Sequence, residues 1–362
     1  GPGDPDENAV TSNGPYASAS LSLALPLYEN GSWRTEETAQ QAQAVARVDK
    51  SKFESTVDSL ALANEVFKDY LGVLEIQETI PRYQSVIENK RKTLGLIKKK
   101  IAAQIAVASD AYRLEADLVA ARSELKAAER KRDRILNQLR LTLGLPRGDT
   151  VELMPLPDLP EVSSDIDSMV VEALANNPDL QVKESEIRLS NAQLREVQNE
   201  HSPTVALNAA MNTANDLQGS SIHAFYSVGV SLNMPLYDSG KNSAEASAKA
   251  SMLMEAKQSL LLAQNELTAK VQDAHDSWLN ALDDVQSARV DMEQTLLQEL
   301  ATRKLLQAGS STLDRLSAQE GEVLSKSIKL IQVRYKAWNA YAELLKTTGK
   351  TKPSFLSARA GS

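Results

Sequence analysis

A chain of 362 residues with 4% aromatic and 42% apolar side chains, alanine prominent among them, is composed for long helices rather than a thick globular core. Its net charge of −8 argues against a nucleic-acid partner, which needs a basic face. The absence of cysteine excludes disulfides, thiolate nucleophiles and cysteine metal sites, and no apolar run is long enough for a transmembrane helix.

Residues 1–15 open with "GPGDPDENAV", which reads as a protease scar and polar loop, with the natural start upstream. Residues 16–28 alternate with period two: Leu21, Leu23, Leu25 and Leu27 on one face, Ser18, Ser20, Ser22 and Ala24 on the other. That pattern predicts a β-strand between two different environments.

The hexapeptide "PLYENG" (Pro26–Gly31) then opens a long Ala-, Gln- and Glu-rich segment, residues 29–145. Apolar residues recur there at heptad-like spacing, as in Val57, Leu60, Phe67, Leu71 and Leu74, which predicts a coiled coil. A break from Ala102 to Asp110 folds it into a helical hairpin ending at Gly144. Arms of roughly 60–70 residues are expected, on the order of 100 Å long. Lys98–Lys100 reads as a solvated helix face.

Prolines 146, 155, 157 and 160 make residues 146–176 a connecting segment. Pro178 suits the first position of a helix within 177–202. Residues 203–237 read as a strand pair. Val205, Leu207, Ala209 and Met211 share one face of the first strand, and Tyr226, Val228, Val230, Leu232, Met234 and Leu236 one face of the second.

"PLYDSG" (Pro235–Gly240) then repeats the first hexapeptide and opens a second long hairpin, residues 238–349. Leu260, Leu267, Val271, Trp278 and Leu282 carry its period, Gly309–Asp314 breaks it and Gly349 stops it. A tail, 350–362, follows. The chain makes the same strand-to-helix transition twice, an internal repeat.

The uncharged strand faces fit either a soluble sandwich or a membrane barrel with an apolar outside and a polar inside. Three strands are too few for either alone, so a barrel requires several chains. Enzyme chemistry is not supported: there is no P-loop, no nucleophile elbow and no dinucleotide fingerprint. His201, His223 and His275 are scattered, and only His275 has nearby carboxylates, Asp273 and Asp276, which point in different directions on a helix. Asp283 and Asp284 read as a solvated face. Tyr28, Trp33 and Tyr237 stand at strand–helix junctions, as interfacial anchors or as ordinary packing.

In order and spacing, "NPDL", "SPTVALNA", "SVGVSLNMPLYDSG", "AGSSTLDRLSAQ" and "AYAELLKTTGK" resemble the TolC-type outer-membrane efflux proteins over residues 16–350. The resemblance implies a mostly α fold with a β part. Long coiled-coil hairpins would form a periplasmic α-barrel, with transmembrane β-barrel strands, two structural repeats per protomer and a homotrimer. It implies a passive duct of the Gram-negative outer membrane, used in multidrug or solute efflux or in type I protein secretion. The implied partners are outer-membrane lipid, a periplasmic adaptor and an inner-membrane ABC or proton-driven transporter, with no cofactor and no metal. The family's first helix and strand have no counterpart before Tyr16.

Carried over position by position, the resemblance puts a periplasmic gate or adaptor-docking tip at Gln104, Asp110, Arg113, Gly309, Asp314 and Arg315. Gln104 stands where the family usually has glycine, and the second tip is one residue shorter than the first. Rings of Asp110 and Asp314 would select cations and pair with Arg113 or Arg315. The alternative is that these aspartates cap the returning helices, and both roles can hold together. Leu21, Leu23, Leu25, Val228, Val230 and Leu232 are expected to face lipid. The competing reading is a soluble coiled-coil scaffold or a periplasmic adaptor.

Overall fold

The computed structural model describes residues 16–29, 31–34, 36–146, 151–160, 165–216 and 222–350. The polar opening, the loop between the paired strands and the tail from residue 351 lie outside the described residues. The chain divides into two compact units, residues 1–52 with 182–261 and residues 53–181 with 262–362.

The first unit holds an antiparallel sheet in the order β2-β1-β3-β4, made of β1 (Tyr16–Glu29), β2 (Ser32–Trp33), β3 (Thr204–Asp216) and β4 (Ile222–Asn233). The period-two pattern sets its register. Leu21 pairs with Met211 and Leu23 with Ala209, while Val205 pairs with Leu232 and Leu207 with Val230. Residues at i and i+2 share a face, so the apolar sets of all three long strands fall on the same side. A bulge between Pro26 and Tyr28 follows the proline, which cannot donate to the ladder. The strand expected to run on to Leu236 stops at Asn233, so Met234 and Leu236 lie beyond the sheet, before Pro235 and after it.

Helix α1 (Ala39–Ala102) starts on a capping box: Thr38 Oγ1 accepts from the Gln41 amide at 3.2 Å, and Gln41 Oε1 accepts from the Thr38 amide at 3.0 Å. Helix α4 (Pro178–Asn199) is tied to the start of α1 by Lys50–Glu186 at 2.9 Å and by hydrogen bonds from Gln40 and Gln43 to Glu196. The two hexapeptides end alike, with φ of 75° at Gly31 and 80° at Gly240.

The second unit is helical. Helix α1 continues through Pro81 without a stop and turns into α2 (Ala108–Thr142), while α5 (Lys241–Gln307) turns into α6 (Leu313–Thr347). The returning arms are 35 residues each against 64 and 67 for the outgoing ones, which corrects the expectation of equal arms. Both helices stop where expected, so the inequality comes from turns that lie well past the middle of each hairpin. The connecting segment also contains an unexpected helix, α3 (Ile166–Asn176), whose cap Asp165 accepts from the Ser168 amide.

Along α5 the buried positions Leu267, Val271, Ala274, Trp278, Ala281, Val285 and Ala288 form a heptad seam of alternating four and three steps, with His275 buried beside Ala274. After a step of seven the seam resumes with Thr295, Glu299 and Thr302. Its first part packs with Leu71, Leu74, Ile331, Tyr335, Trp338 and Tyr341, and the Trp278 and Tyr341 rings lie 5.2 Å apart. Leu153, Leu156 and Leu159 of the connecting segment rest against this core.

Candidate functional site

Each hairpin turn is closed by the same backbone device. Ile105 N donates to Lys100 O and Gln104 N to Ile101 O; Ser310 N donates to Leu305 O and Gly309 N to Leu306 O. These paired bonds form a Schellman stop, which needs a left-handed residue at its centre. Gln104 takes φ 60° and Gly309 φ 76°. The position where the family usually has glycine is therefore left-handed here as well, with a side chain accepting the strain.

The two expected capping aspartates do not cap. The residue before α2 is Val107, which makes no side-chain cap bond, and α6 is capped by Thr312, whose hydroxyl accepts from the Arg315 amide at 3.3 Å. Asp314, in the first turn of α6, instead forms an ion pair with Arg113 of α2, joining the two hairpins. Asp110 lies half-buried in the first turn of α2, with no side-chain partner among the described residues. The Arg315 side chain is exposed. Lys98, Lys99 and Lys100 are exposed, as expected of a solvated face, and Lys98 also reaches Glu115 across the first turn at 2.7 Å.

Beside the Arg113–Asp314 pair runs an open groove of about 460 Å³, lined by Lys90, Arg113, Asp117, Glu124, Asp314 and Ser317, with Ala121 and Gly321 in its floor. Lys90 is buried, 8% exposed, and its Nζ lies 3.4 Å from both Asp117 Oδ2 and Ser317 Oγ. A buried ammonium needs such partners. Lys90 and Asp117 come from the two arms of the first hairpin and Ser317 from the second hairpin, 227 residues from Lys90, and no motif announces them.

Further along the same seam, Arg303 holds two buried carboxylates. Its Nη2 lies 3.0 Å from Glu320 Oε1, and it pairs with Glu299 through both Nε and Nη2. Burial pushes the Glu320 carboxyl above its ordinary value, although Arg303 and Lys90 pull it down.

In the first unit, the apolar side of the sheet is open. Leu21, Leu23, Val228, Val230 and Leu232 are all well exposed, between 65% and 78%, while Leu25 is half-buried. The opposite face carries Ser22, Ala24, Asn208, Ala210, Ser227 and Ser231, and Asn208 Nδ2 donates to Ser231 Oγ at 2.7 Å. A sheet with one uncharged apolar face open and one small polar face has the surfaces of a barrel wall between lipid and water. At the junctions, Tyr28 and Trp33 pack edge to face at 5.1 Å, and Tyr237 is exposed. His201 Nε2 lies 3.3 Å from Asp238 Oδ2, a pair invisible to local spacing. Asp238 also accepts from the Asn242 and Gly240 amides, which lower its pKa.

The sequence model of the family described as outer membrane efflux protein matches residues 169–350, half of the chain. The chain belongs to that family. This efflux protein is accordingly a non-enzymatic channel protein of the outer membrane. Solved structures agree in fold. The outer membrane protein VceC of Vibrio cholerae superposes with a TM-score of 0.73 at 13% identity, covering 93% of this chain and 87% of that one. The open state of the Neisseria gonorrhoeae MtrE outer membrane channel gives 0.72 at 16%, with 93% and 81% covered. The Campylobacter jejuni CmeC outer membrane channel gives 0.70 at 10%, with 95% and 80% covered. No curated protein matches the efflux protein by sequence.

Proposed function

We propose that this efflux protein is a homotrimeric exit duct. Three copies of the sheet contribute to one barrel in the outer membrane, and the long hairpins build an α-helical tunnel through the periplasm. Its cargo arrives from an inner-membrane ABC or proton-driven pump through a periplasmic adaptor, in solute efflux or in type I secretion. The sequence carries no P-loop, and in this reading export is passive, with the energy supplied by the pump.

The observation that carries this reading is the register of the sheet, which collects the apolar residues of β1, β3 and β4 on one open face. A closed barrel is also the way such strands satisfy their backbone groups in lipid. The test is the mass of the full chain by light scattering, in detergent and then without it, beside the Leu232→Arg variant. A trimer that needs detergent, and a variant that fails to insert, is the expected result. A detergent-independent monomer, or normal insertion of the charged variant, would overturn the reading.

The hairpin turns are proposed as the periplasmic gate and adaptor-docking surface. Arg113 with Asp314 acts as a latch between the two hairpins, and the groove beside it takes the adaptor. Because Arg113 neutralises Asp314, the free negative ring at the entrance falls to Asp110. Asp314→Ala should raise ion leakage in planar bilayers, and Arg113→Asp with Asp314→Arg should restore the closed level. Unchanged conductance in an assembled trimer would remove the pair from the gate.

A further inference from the structure

The polar face of the sheet keeps to small residues and Asn only as far as Phe225, beyond which the register places His223 and Tyr16 on the same face. Ser22, Ala210 and Ser227 form one cross-strand row, and the next row towards the β3–β4 connection is Ser20, Asn212 and Phe225. Phe225 thus lies on the side opposite Tyr226 and Val228, among hydroxyls, an amide and alanines. It is 66% exposed and stacks on no other ring among the described residues. An aromatic side chain that serves the core is buried, and one that serves lipid would sit on the other face. Neither description fits Phe225.

We infer that Phe225 lines the lumen and that three copies of it narrow the duct near the end of the barrel remote from the helices. This rests on the barrel reading above. The row on its helix side, Ser22, Ala210 and Ser227, projects only hydroxymethyl and methyl groups, and Ser20 and Asn212 share its own row, so the benzyl group stands out from these neighbours into the water-filled path. A ring of such groups narrows the aqueous cross-section and repels hydrated ions, while its faces accept apolar or aromatic cargo by stacking. Phe225 is thereby a specificity-determining residue at the exit, separate from the charged entrance.

The chain contains no cysteine, so single thiols report without background. Phe225→Cys, Ser227→Cys and Tyr226→Cys channels, otherwise unaltered, would be reconstituted in planar bilayers and exposed to a charged, water-soluble maleimide. Phe225→Cys and Ser227→Cys are expected to lose current stepwise as each thiol is alkylated, and Tyr226→Cys to keep it. Phe225→Ala should conduct more than the parent, and Phe225→Trp less. A response at Ser227→Cys without one at Phe225→Cys, or an unchanged Phe225→Ala conductance, would overturn the Phe225 assignment alone. A response only at Tyr226→Cys, or no channel current from the parent protein, would overturn the barrel reading and the inference with it.

Discussion

One heptad seam on α5 buries Trp278 and Ala281 in one stretch and Thr295, Glu299 and Thr302 in another, at the same spacing. The first stretch meets Trp338, Tyr341 and Tyr335, so its burial removes large apolar surfaces from water. The second meets Arg303 and Glu320, with Lys90 nearby, and exchanges water for charge-assisted hydrogen bonds instead. Identical geometry therefore carries different energetics. Polar groups at seam positions fix the register of the helices while contributing little net stability. Separating the arms near the turn would expose few apolar atoms, whereas separating them at Trp278 would expose many. That contrast is what the proposed gate at the hairpin turns requires.

The sharpest way to break the comparison is Trp338→Ala. Trp338 is 1% exposed, and its loss should cost about 3–5 kcal/mol. Thermal unfolding followed by circular dichroism would check it, and a loss under 1 kcal/mol would make the two stretches equivalent. Arg303→Met leaves Glu299 and Glu320 without their partner and should cost about 1–3 kcal/mol. Hydrogen exchange should place its effect in the first turns of α6, leaving the Trp338 region unchanged.

Gln104→Gly should stabilise the first turn by about 1 kcal/mol, because the left-handed conformation costs glycine nothing. Chemical denaturation would read that gain, and the opposite substitution, Gly309→Gln, should give a loss of similar size. The smallest effect is in pH. The folded pKa of Glu320 is raised, so the folded state binds its proton more tightly than the unfolded chain does. Its contribution to stability is then fullest below the ordinary glutamate value and is lost as pH rises through the raised one. Relative to the intrinsic rate at each pH, protection near Glu320 should rise on acidification in the parent and not in Glu320→Gln.

The parts legible in the sequence were those with local period or local punctuation. The Ser–Leu alternation around Leu23 and Val230 placed the strands and their faces, and Gly144, Gly309 and Gly349 marked helix stops. Pro178 marked a helix start. Helix α3 was missed because its cap, Asp165, directly follows a proline-rich run that reads as loop. The α5 heptads showed a seam but not its change in chemistry: Glu299 and Arg303 stand four apart on one helix and look like a surface pair until Glu320 of α6 is brought to them. Lys90 with Asp117 and Ser317, and His201 with Asp238, join residues that no local pattern connects. Asp110 and Asp314 look alike in sequence, and only packing gives one of them an arginine.

Asn177 links two events widely separated during synthesis. Its Oδ1 accepts from the Asp179 amide at 2.9 Å to start α4, and its Nδ2 donates to Thr347 O at 3.3 Å, 170 residues further on. Beside it, the Gly349 Cα approaches the Asn176 carbonyl so closely that an added Cβ would stand 2.9 Å from the oxygen. While the chain is being made, α4 can begin at Asn177, but the second bond of that side chain has no acceptor until the last helix exists. Closing so large a loop is an entropic cost that short-range contacts cannot offset early. A chain stopped before Thr347 would therefore carry a started α4 without this tether.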